Sequence, residues 1–197
     1  MQQIVTKLPT AAPIQEFYPF SMTDHQSRMY YTVKLFVGRF RQPMNFIVDT
    51  GSSDFLIHGP GCNGCPGVPF VWSRSHSFHN NGHRVEENNF HGVEVTDEIA
   101  MNAEEKHIEA IEMVMLSNVR GNLMTKGKAD GVIGFAPRRI SNNGNRERRH
   151  LPFMTQIYKK GLVKRNMFAM HFREEENLLW IGGYPKAYLN QTFTDMF

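Results

Sequence analysis

Asp49 is the residue of this chain best placed to do chemistry. It ends an apolar segment, residues 44–48 (MNFIV), and begins the run Asp49-Thr50-Gly51-Ser52. A carboxylate at the end of a buried strand destabilises a fold unless it is hydrogen-bonded. Gly51 lets the backbone turn tightly towards the carboxylate, and the hydroxyls of Thr50 and Ser52 can donate to it. The run is therefore either an ordinary turn after a strand or a loop that positions a carboxylate for acid–base chemistry.

The two cysteines, Cys62 and Cys65, form a second candidate site. Their C-x-x-C spacing fits a tight disulfide, half of a zinc site or a redox motif. A redox motif opens a helix after a strand, whereas residues 59–67 (GPGCNGCPG) read as a loop throughout. A zinc site needs two more ligands, and His58 is the only near one. The sequence favours the disulfide, given an oxidising compartment.

No metal or cofactor is expected. The histidines at positions 76, 79, 83 and 91 share a loop-like segment with Glu86 and Glu87, but they show no compact ligand spacing. A solvated loop is the simpler interpretation of that segment.

Composition limits the possible partners. The chain has 197 residues, 41% of them hydrophobic, which suits one domain or one lobe with a real core. A formal charge of +3 is too small to favour nucleic acid or an anionic membrane. No apolar run approaches the ~18 residues of a transmembrane helix. Residues 1–20 lack a continuous apolar core, so no secretory signal peptide is expected.

The elements that position Asp49 are predicted to be mainly strands. Strands are expected at residues 30–37, 44–48, 55–57, 92–101, 131–135, 168–172 and 178–181. Residues 107–116 fit either a strand or an amphipathic helix. Residues 58–91 and 138–150 read as loops. Residues 151–160 have helical spacing, with Leu151, Met154, Ile157 and Tyr158 on one face and Gly161 as C-cap.

Four segments together carry a family resemblance. Residues 30–57 (YYTVKLFVGRFRQPMNFIVDTGSSDFLI) resemble the first lobe of pepsin-like aspartic proteases. Residues 129–137 (ADGVIGFAP), 153–168 and 178–184 resemble later parts of that lobe, in the same order. The resemblance implies a mainly β fold, a single lobe of the pepsin-like double-ψ β-barrel type with short helices. Residues 1–28 would be an N-terminal arm or pro-segment remnant, and residues 29–197 the N-terminal lobe.

The resemblance also implies an activity, that of an aspartic endopeptidase acting on polypeptides without a cofactor. Two carboxylates sharing one proton activate a water molecule, and Asp49 would be the first-lobe member of this pair. Thr50 would brace the loop and Ser52 would hydrogen-bond the outer carboxylate oxygen. The supporting residues would be Gly51, Asp130, Gly131, Val132, Ile133 and Gly134. Relatives of this kind are secreted, lysosomal or vacuolar.

Three departures from the family pattern leave alternatives open. The chain contains no second Asp-Thr/Ser-Gly run, so a C-terminal lobe or a second copy is needed to complete the pair. The hairpin that closes over the substrate lacks its Tyr, whose position falls near Val85; Phe78 or Phe90 could supply an aromatic ring instead. Leu56 or a neighbour replaces the usual Trp. The alternatives are a protease lobe, an inactive pepsin-like binding module and a dimer-dependent protease.

Overall fold

The computed structural model describes residues 17–25, 30–104, 108–120, 129–138 and 150–185. Its strands, numbered along the chain, are β1 (Tyr18–Ser21), β2 (Thr23–His25), β3 (Tyr30–Val37), β4 (Gln42–Asp49), β5 (Phe55–Asn63), β6 (His79–Glu86), β7 (Phe90–Ala100), β8 (Ile108–Val119), β9 (Gly131–Gly134), β10 (Phe168–Phe172) and β11 (Asn177–Ile181). One α-helix, α1 (Phe153–Lys159), and a 3₁₀ turn at Trp72–Arg74 complete the described elements. The predicted mainly β class is confirmed.

The strands form two sheets. The larger has the order β2-β3-β4-β9-β5-β8-β7-β6, and the smaller has the order β1-β11-β10. An additional pairing of β3 with β7, through Phe36↔Ala100 and Val37↔Ile99, bends the larger sheet round on itself. The larger sheet is therefore barrel-like.

Two apolar clusters form the core. The main cluster includes Phe46, Phe55 and Phe153, whose rings meet edge to face at centroid distances of 5.2 Å for each neighbouring pair. The smaller cluster includes Leu56 and Val114. Consecutive residues of β5 thus pack into different clusters, because successive side chains of a strand point to opposite faces. The apolar runs in the sequence are explained by burial on both faces.

Part of the predicted N-terminal arm belongs structurally to the lobe. Strand β1 pairs with β11 and strand β2 pairs with β3. Phe20 and Met22 are 7% and 6% exposed and lie in the main core. The described arm residues therefore contribute to the fold rather than trailing from it.

The loop predicted over residues 58–91 is wrong in three places. Strand β5 continues to Asn63, β6 covers His79–Glu86, and β7 begins at Phe90. The sequence of β6 (HNNGHRVE) shows no apolar alternation because β6 is an edge strand, largely exposed to solvent, and is held by its backbone pairing with β7. The segment predicted at residues 107–116 as either a strand or an amphipathic helix is strand β8, from Ile108 onwards.

The predicted helix is present, but the residues predicted for its buried face are partly wrong. Helix α1 buries Phe153, Met154 and Ile157, whereas Tyr158 is 46% exposed. Gly161 follows with φ of 71° and donates its N–H to the carbonyl of Tyr158, as expected of a helix-ending glycine. Strands β10 and β11 match their predictions. The predicted loop at residues 138–150 lies mostly outside the described residues, and no described helix is long and apolar enough to cross a membrane.

Candidate active site

The Asp49 loop, residues 49–54, exists because of an unusual strand order. Strand β9 lies between β4 and β5, although β4 and β5 are consecutive in the chain. It runs parallel to β4, with Gly134 opposite Asp49, and antiparallel to β5. The loop that joins β4 to β5 must therefore cross over the end of β9. This crossing places Asp49 at the carboxyl end of β4, on a loop that lies over the end of β9.

Backbone hydrogen bonds fix the loop to the chain that leaves β9. Phe135 donates its N–H to the carbonyl of Asp49 at 2.7 Å, and Ala136 donates to the carbonyl of Ser52 at 2.9 Å. The ring of Phe135 is buried and stacks at a tilt on Phe168 of the smaller sheet, with centroids 4.9 Å apart. The position of Asp49 thus depends on both sheets.

Gly134 permits the crossing. Its N–H donates to the carbonyl of Asp54 at 2.7 Å. A Cβ atom at this position would lie 2.5 Å from both the nitrogen of Asp54 and the carbonyl oxygen of Ser52. Since these are backbone atoms of the loop itself, they cannot rotate away as a flexible side chain can.

The carboxylate of Asp49 is half-buried and accepts the N–H of Gly51 at its Oδ1 atom, at 2.8 Å. Thr50 and Gly51 are exposed, and Ser52 is half-buried. Within the described part of the chain, no hydrogen bond joins the hydroxyl of Thr50 or Ser52 to Asp49. The bracing roles that the resemblance implies for these two hydroxyls therefore stay predictions.

Asp130 connects three segments at the start of β9, at the end of the β4–β9 pairing that is remote from the Asp49 loop. Its side chain accepts the backbone N–H of Asn45 at 2.8 Å and of Val68 at 2.6 Å. Its own backbone N–H donates to the carbonyl of Asn45, and its carbonyl accepts the N–H of His58. The carboxylate is buried, and this pair of donors accounts for its burial. The contacts fit the supporting role expected of Asp130.

The rest of the supporting strand is packed too tightly to vary freely. A Cβ on Gly131 would lie 2.2 Å from the carbonyl oxygen of Leu56. Val132 packs in the smaller cluster and Ile133 in the main core, so β9 connects both clusters directly beneath the loop.

The strand crossing, the half-exposed Asp49 and its supporting strand can be compared with known families. The sequence profile of the eukaryotic aspartyl proteases matches residues 30–196. The chain belongs to the eukaryotic aspartyl protease family. A search of curated proteins found no significant match. The match covers the Asp49 loop and the supporting strand, and the family supports an aspartic-type peptidase function in general terms.

Strands β6 and β7 form the hairpin that the family resemblance predicts to be the flap. Val85 lies opposite Gly92, and residues 87–89 make the tip. Val85 packs against the smaller apolar cluster, where Phe90 and Leu56 are buried. Phe78 lies elsewhere, between the rings of Phe70 and Trp72. The two aromatic residues that could replace the missing Tyr are both engaged in packing.

Cys62 and Cys65 are joined by a disulfide, with Cα atoms 5.6 Å apart. Both cysteines pack against the smaller cluster at the end of β5. Among the residues that the structure describes, no group of three or more His, Cys, Asp or Glu side chains is arranged to hold a metal ion. The geometry fits the tight disulfide, the first of the three alternatives for this C-x-x-C motif.

His58 is completely buried on β5, next to Asp130. Burial lowers the pKa of its imidazole from 6.5 to about 4, although the negative charge of Asp130 acts in the opposite direction. Below pH 6.5 the unfolded chain therefore binds a proton that the folded chain does not bind. Stability should fall as the pH drops from 6.5 to about 4, by about 3 kcal/mol in total for this group.

The measurement is chemical denaturation of the chain and of His58→Asn between about pH 7 and pH 4. The variant should lose less stability than the parent over this interval, because an amide does not titrate. The exposed His76→Asn serves as the matched control and should behave as the parent does. Equal slopes for the parent and His58→Asn would disprove this source of acid sensitivity.

Sequence reasoning missed one group of side chains at the end of the Asp49 loop. Asp54, Glu94 and His150 form a buried polar cluster, and no local pattern connects them because they lie 40 to 96 positions apart. The one signal in the sequence that could have indicated this cluster was Asp54, an acidic residue directly after the DTGSS run.

Proposed function

We propose that this chain is the N-terminal lobe of an aspartic endopeptidase and that Asp49 is its half of the catalytic dyad. The observation that carries the proposal is the half-exposed Asp49 carboxylate on a loop fixed by three backbone hydrogen bonds. A structural carboxylate such as Asp130 is buried against its donors. Asp49 instead lies at a surface, on an element too well supported to be an ordinary turn.

The proposed reaction uses two carboxylates about 3 Å apart, which cannot both ionise readily and so share one proton. The ionised carboxylate takes a proton from a water molecule held between them, and the water oxygen attacks the peptide carbonyl. The protonated carboxylate donates its proton to the carbonyl oxygen. Collapse of the resulting diol breaks the C–N bond: the amine leaves with the proton of one carboxylate, and a diol hydroxyl returns its proton to the other, which regenerates the shared proton of the dyad.

We infer that a partner supplies the second carboxylate, because the buried aspartates of the described residues are already engaged within the lobe. Asp54, Asp97 and Asp130 are all buried, and each accepts hydrogen bonds within the lobe or pairs with a histidine. The exposed surface of Thr50 and Gly51 is where a partner bearing another carboxylate could approach Asp49. That partner is a C-terminal lobe or a second copy of the chain.

The test is cleavage of an unstructured polypeptide at about pH 4, a pH suited to a dyad that shares one proton. The chain is assayed alone over a range of concentrations and together with a separately produced C-terminal lobe that carries an Asp-Thr/Ser-Gly run. We expect cleavage when that lobe is added. Cleavage by the chain alone, rising with the square of its concentration, would support the dimer instead.

A pepsin-like binding module is the alternative from a different functional class. The departures in the flap hairpin favour it, since Val85 occupies the position expected for Tyr and contributes to packing. Peptide binding without cleavage, in the presence of the added lobe, would support this alternative and contradict the protease.

A further inference from the structure

The connection between β5 and β6 exposes a group of apolar side chains. Val68, Val71 and Trp72 are 59%, 37% and 42% exposed. They are three of the five large apolar side chains that the described residues expose, and they lie within five consecutive positions. Single exposed apolar residues are ordinary, whereas a contiguous group of them marks an interaction surface.

The turn that joins β3 to β4 packs against this connection. The side chain of Gln42 donates to the carbonyl of Pro69 and accepts the N–H of Val71, both at 2.9 Å. From the other direction, the guanidinium group of Arg74 lies over the ring of Phe40, 5.0 Å from the ring centroid. The turn and the connection therefore form one surface.

We call residues 38–43 and 68–74 together the basal tip. It contains three arginines, Arg39, Arg41 and Arg74, and no acidic residue. Positive charge and exposed apolar area therefore occupy the same surface. The formal charge of the whole chain, +3, conceals this local arrangement because it sums over every face of the protein.

The acidic residues Asp97, Glu98 and Glu104 lie close to the basal tip. Asp97 and Glu98 are 1% and 6% exposed, so they face the interior. The side chain of Arg39 is 68% exposed, although its guanidinium group is 3.3 Å from the carboxylate of Glu98. Glu104 is exposed. The surface that a partner would meet thus presents three arginines and one acid.

The basal tip lies at the far end of β4 from the Asp49 loop. Strand β4 begins at Gln42 and ends at Asp49, so these two residues are about 23 Å apart at the usual rise of a strand. A partner bound at the tip therefore leaves the Asp49 loop accessible.

The shape of the basal tip favours a flat, anionic partner. Residues 38–41 and 72–74 are both tight turns, so their side chains project from the end of the lobe. Peptides are recognised by grooves or by unpaired strand edges, and these two turns offer neither. A projecting tryptophan with aliphatic neighbours suits the boundary between lipid headgroups and acyl chains. The surrounding arginines suit anionic headgroups.

We propose that the basal tip docks the protein onto an anionic lipid surface. Its exposed apolar side chains enter the headgroup region, and its three arginines bind lipid phosphates. The contact is peripheral and is made by two turns. The inference goes beyond the proposed function and does not depend on cleavage, because the Asp49 end of β4 points away from the docked surface.

Trp72 reports directly on docking, because the only other tryptophan, Trp180, is 4% exposed. The full chain is mixed at about 0.15 M salt with vesicles of phosphatidylcholine alone, or with vesicles in which about a third of the lipid is phosphatidylserine. We expect co-sedimentation with the anionic vesicles at least about tenfold tighter than with the neutral ones, and weaker at higher salt. Tryptophan fluorescence should shift to shorter wavelength, and lipids brominated on their acyl chains should quench it.

Paired charge variants test the role of the arginines. Arg39→Gln combined with Arg74→Gln should lower the affinity for anionic vesicles about 25-fold, at about fivefold for each arginine. The matched control is Lys160→Gln combined with Lys164→Gln, which removes two exposed charges outside the tip. This control should lower the affinity by about twofold or less, because its charges lie away from the docked surface.

Val68→Ser tests the apolar contact separately. The side chain of Val68 is exposed, and its backbone N–H donates to Asp130 whatever the side chain is, so the variant should keep the fold. Its affinity for anionic vesicles should fall by up to about tenfold. Val68→Ser still decides the matter if the double arginine variant fails to fold.

Equal binding to the two kinds of vesicle, binding to neither, or equal losses in the arginine variant and its lysine control would overturn the proposal. A further contrary result is retention of the parent on immobilised polyglutamate without binding to vesicles. If the double arginine variant then lost this retention, the basal tip would be a site for an acidic protein and the lipid proposal would be wrong.

Discussion

Replacing Gly134 with alanine should lower the free energy of unfolding by about 3 kcal/mol and displace the Asp49 loop. The added Cβ would lie 2.5 Å from the nitrogen of Asp54 and from the carbonyl oxygen of Ser52. Relief requires the loop to move away from β9, which weakens the hydrogen bonds from Gly134, Phe135 and Ala136. A shift of about 1 Å at a catalytic group reduces the rate by about 10²-fold, so residual activity should be low even in the folded fraction.

Gly51→Ala is the matched control for stability. A Cβ at Gly51 meets only the far end of the Asp49 side chain, at 3.2 Å, and the backbone there does not have positive φ. Its free energy of unfolding should change by about 1 kcal/mol or less. Chemical denaturation of both variants and the parent makes the comparison. Equal stability of Gly134→Ala and Gly51→Ala would show that the loop does not need a glycine beneath it.

The Asp49 loop could be predicted because its signals are local. An apolar strand ends directly at Asp49, and Gly51 with its neighbouring hydroxyls follows within three positions. The supporting strand was equally visible as an apolar run between two glycines, Gly131 and Gly134. The insertion of β9 between β4 and β5 was not predicted, because no local pattern encodes which strands become neighbours.

The remainder could not be predicted because it depends on tertiary contacts. Strand β6 is polar and is held by backbone bonds to β7, so its side chains carry no strand periodicity. Tyr158 fits the apolar helical face by spacing, yet it is exposed, and Phe153 is buried in its place. The polar cluster at His150 joins three distant segments, and a lone histidine in a basic, polar stretch gives no sign of its partners.

Asp49→Asn should reduce cleavage by about 10³-fold or more, because the amide cannot take the proton that the reaction requires. The fold should be unaffected. Asparagine has nearly the same shape, and its Oδ1 atom can still accept the N–H of Gly51. We therefore expect the free energy of unfolding to change by about 0.5 kcal/mol or less. Glu104→Gln, at an exposed position, is the matched control and should cleave as the parent does.

The most direct test of the dyad is the initial rate of cleavage of an unstructured polypeptide by the parent, Asp49→Asn and Glu104→Gln. All three are assayed at about pH 4 under the condition that completes the parent, with an added C-terminal lobe or at high chain concentration. We predict product from the parent and from Glu104→Gln, and almost none from Asp49→Asn. Cleavage by folded Asp49→Asn at the rate of the parent would contradict every version of the account in which Asp49 activates water.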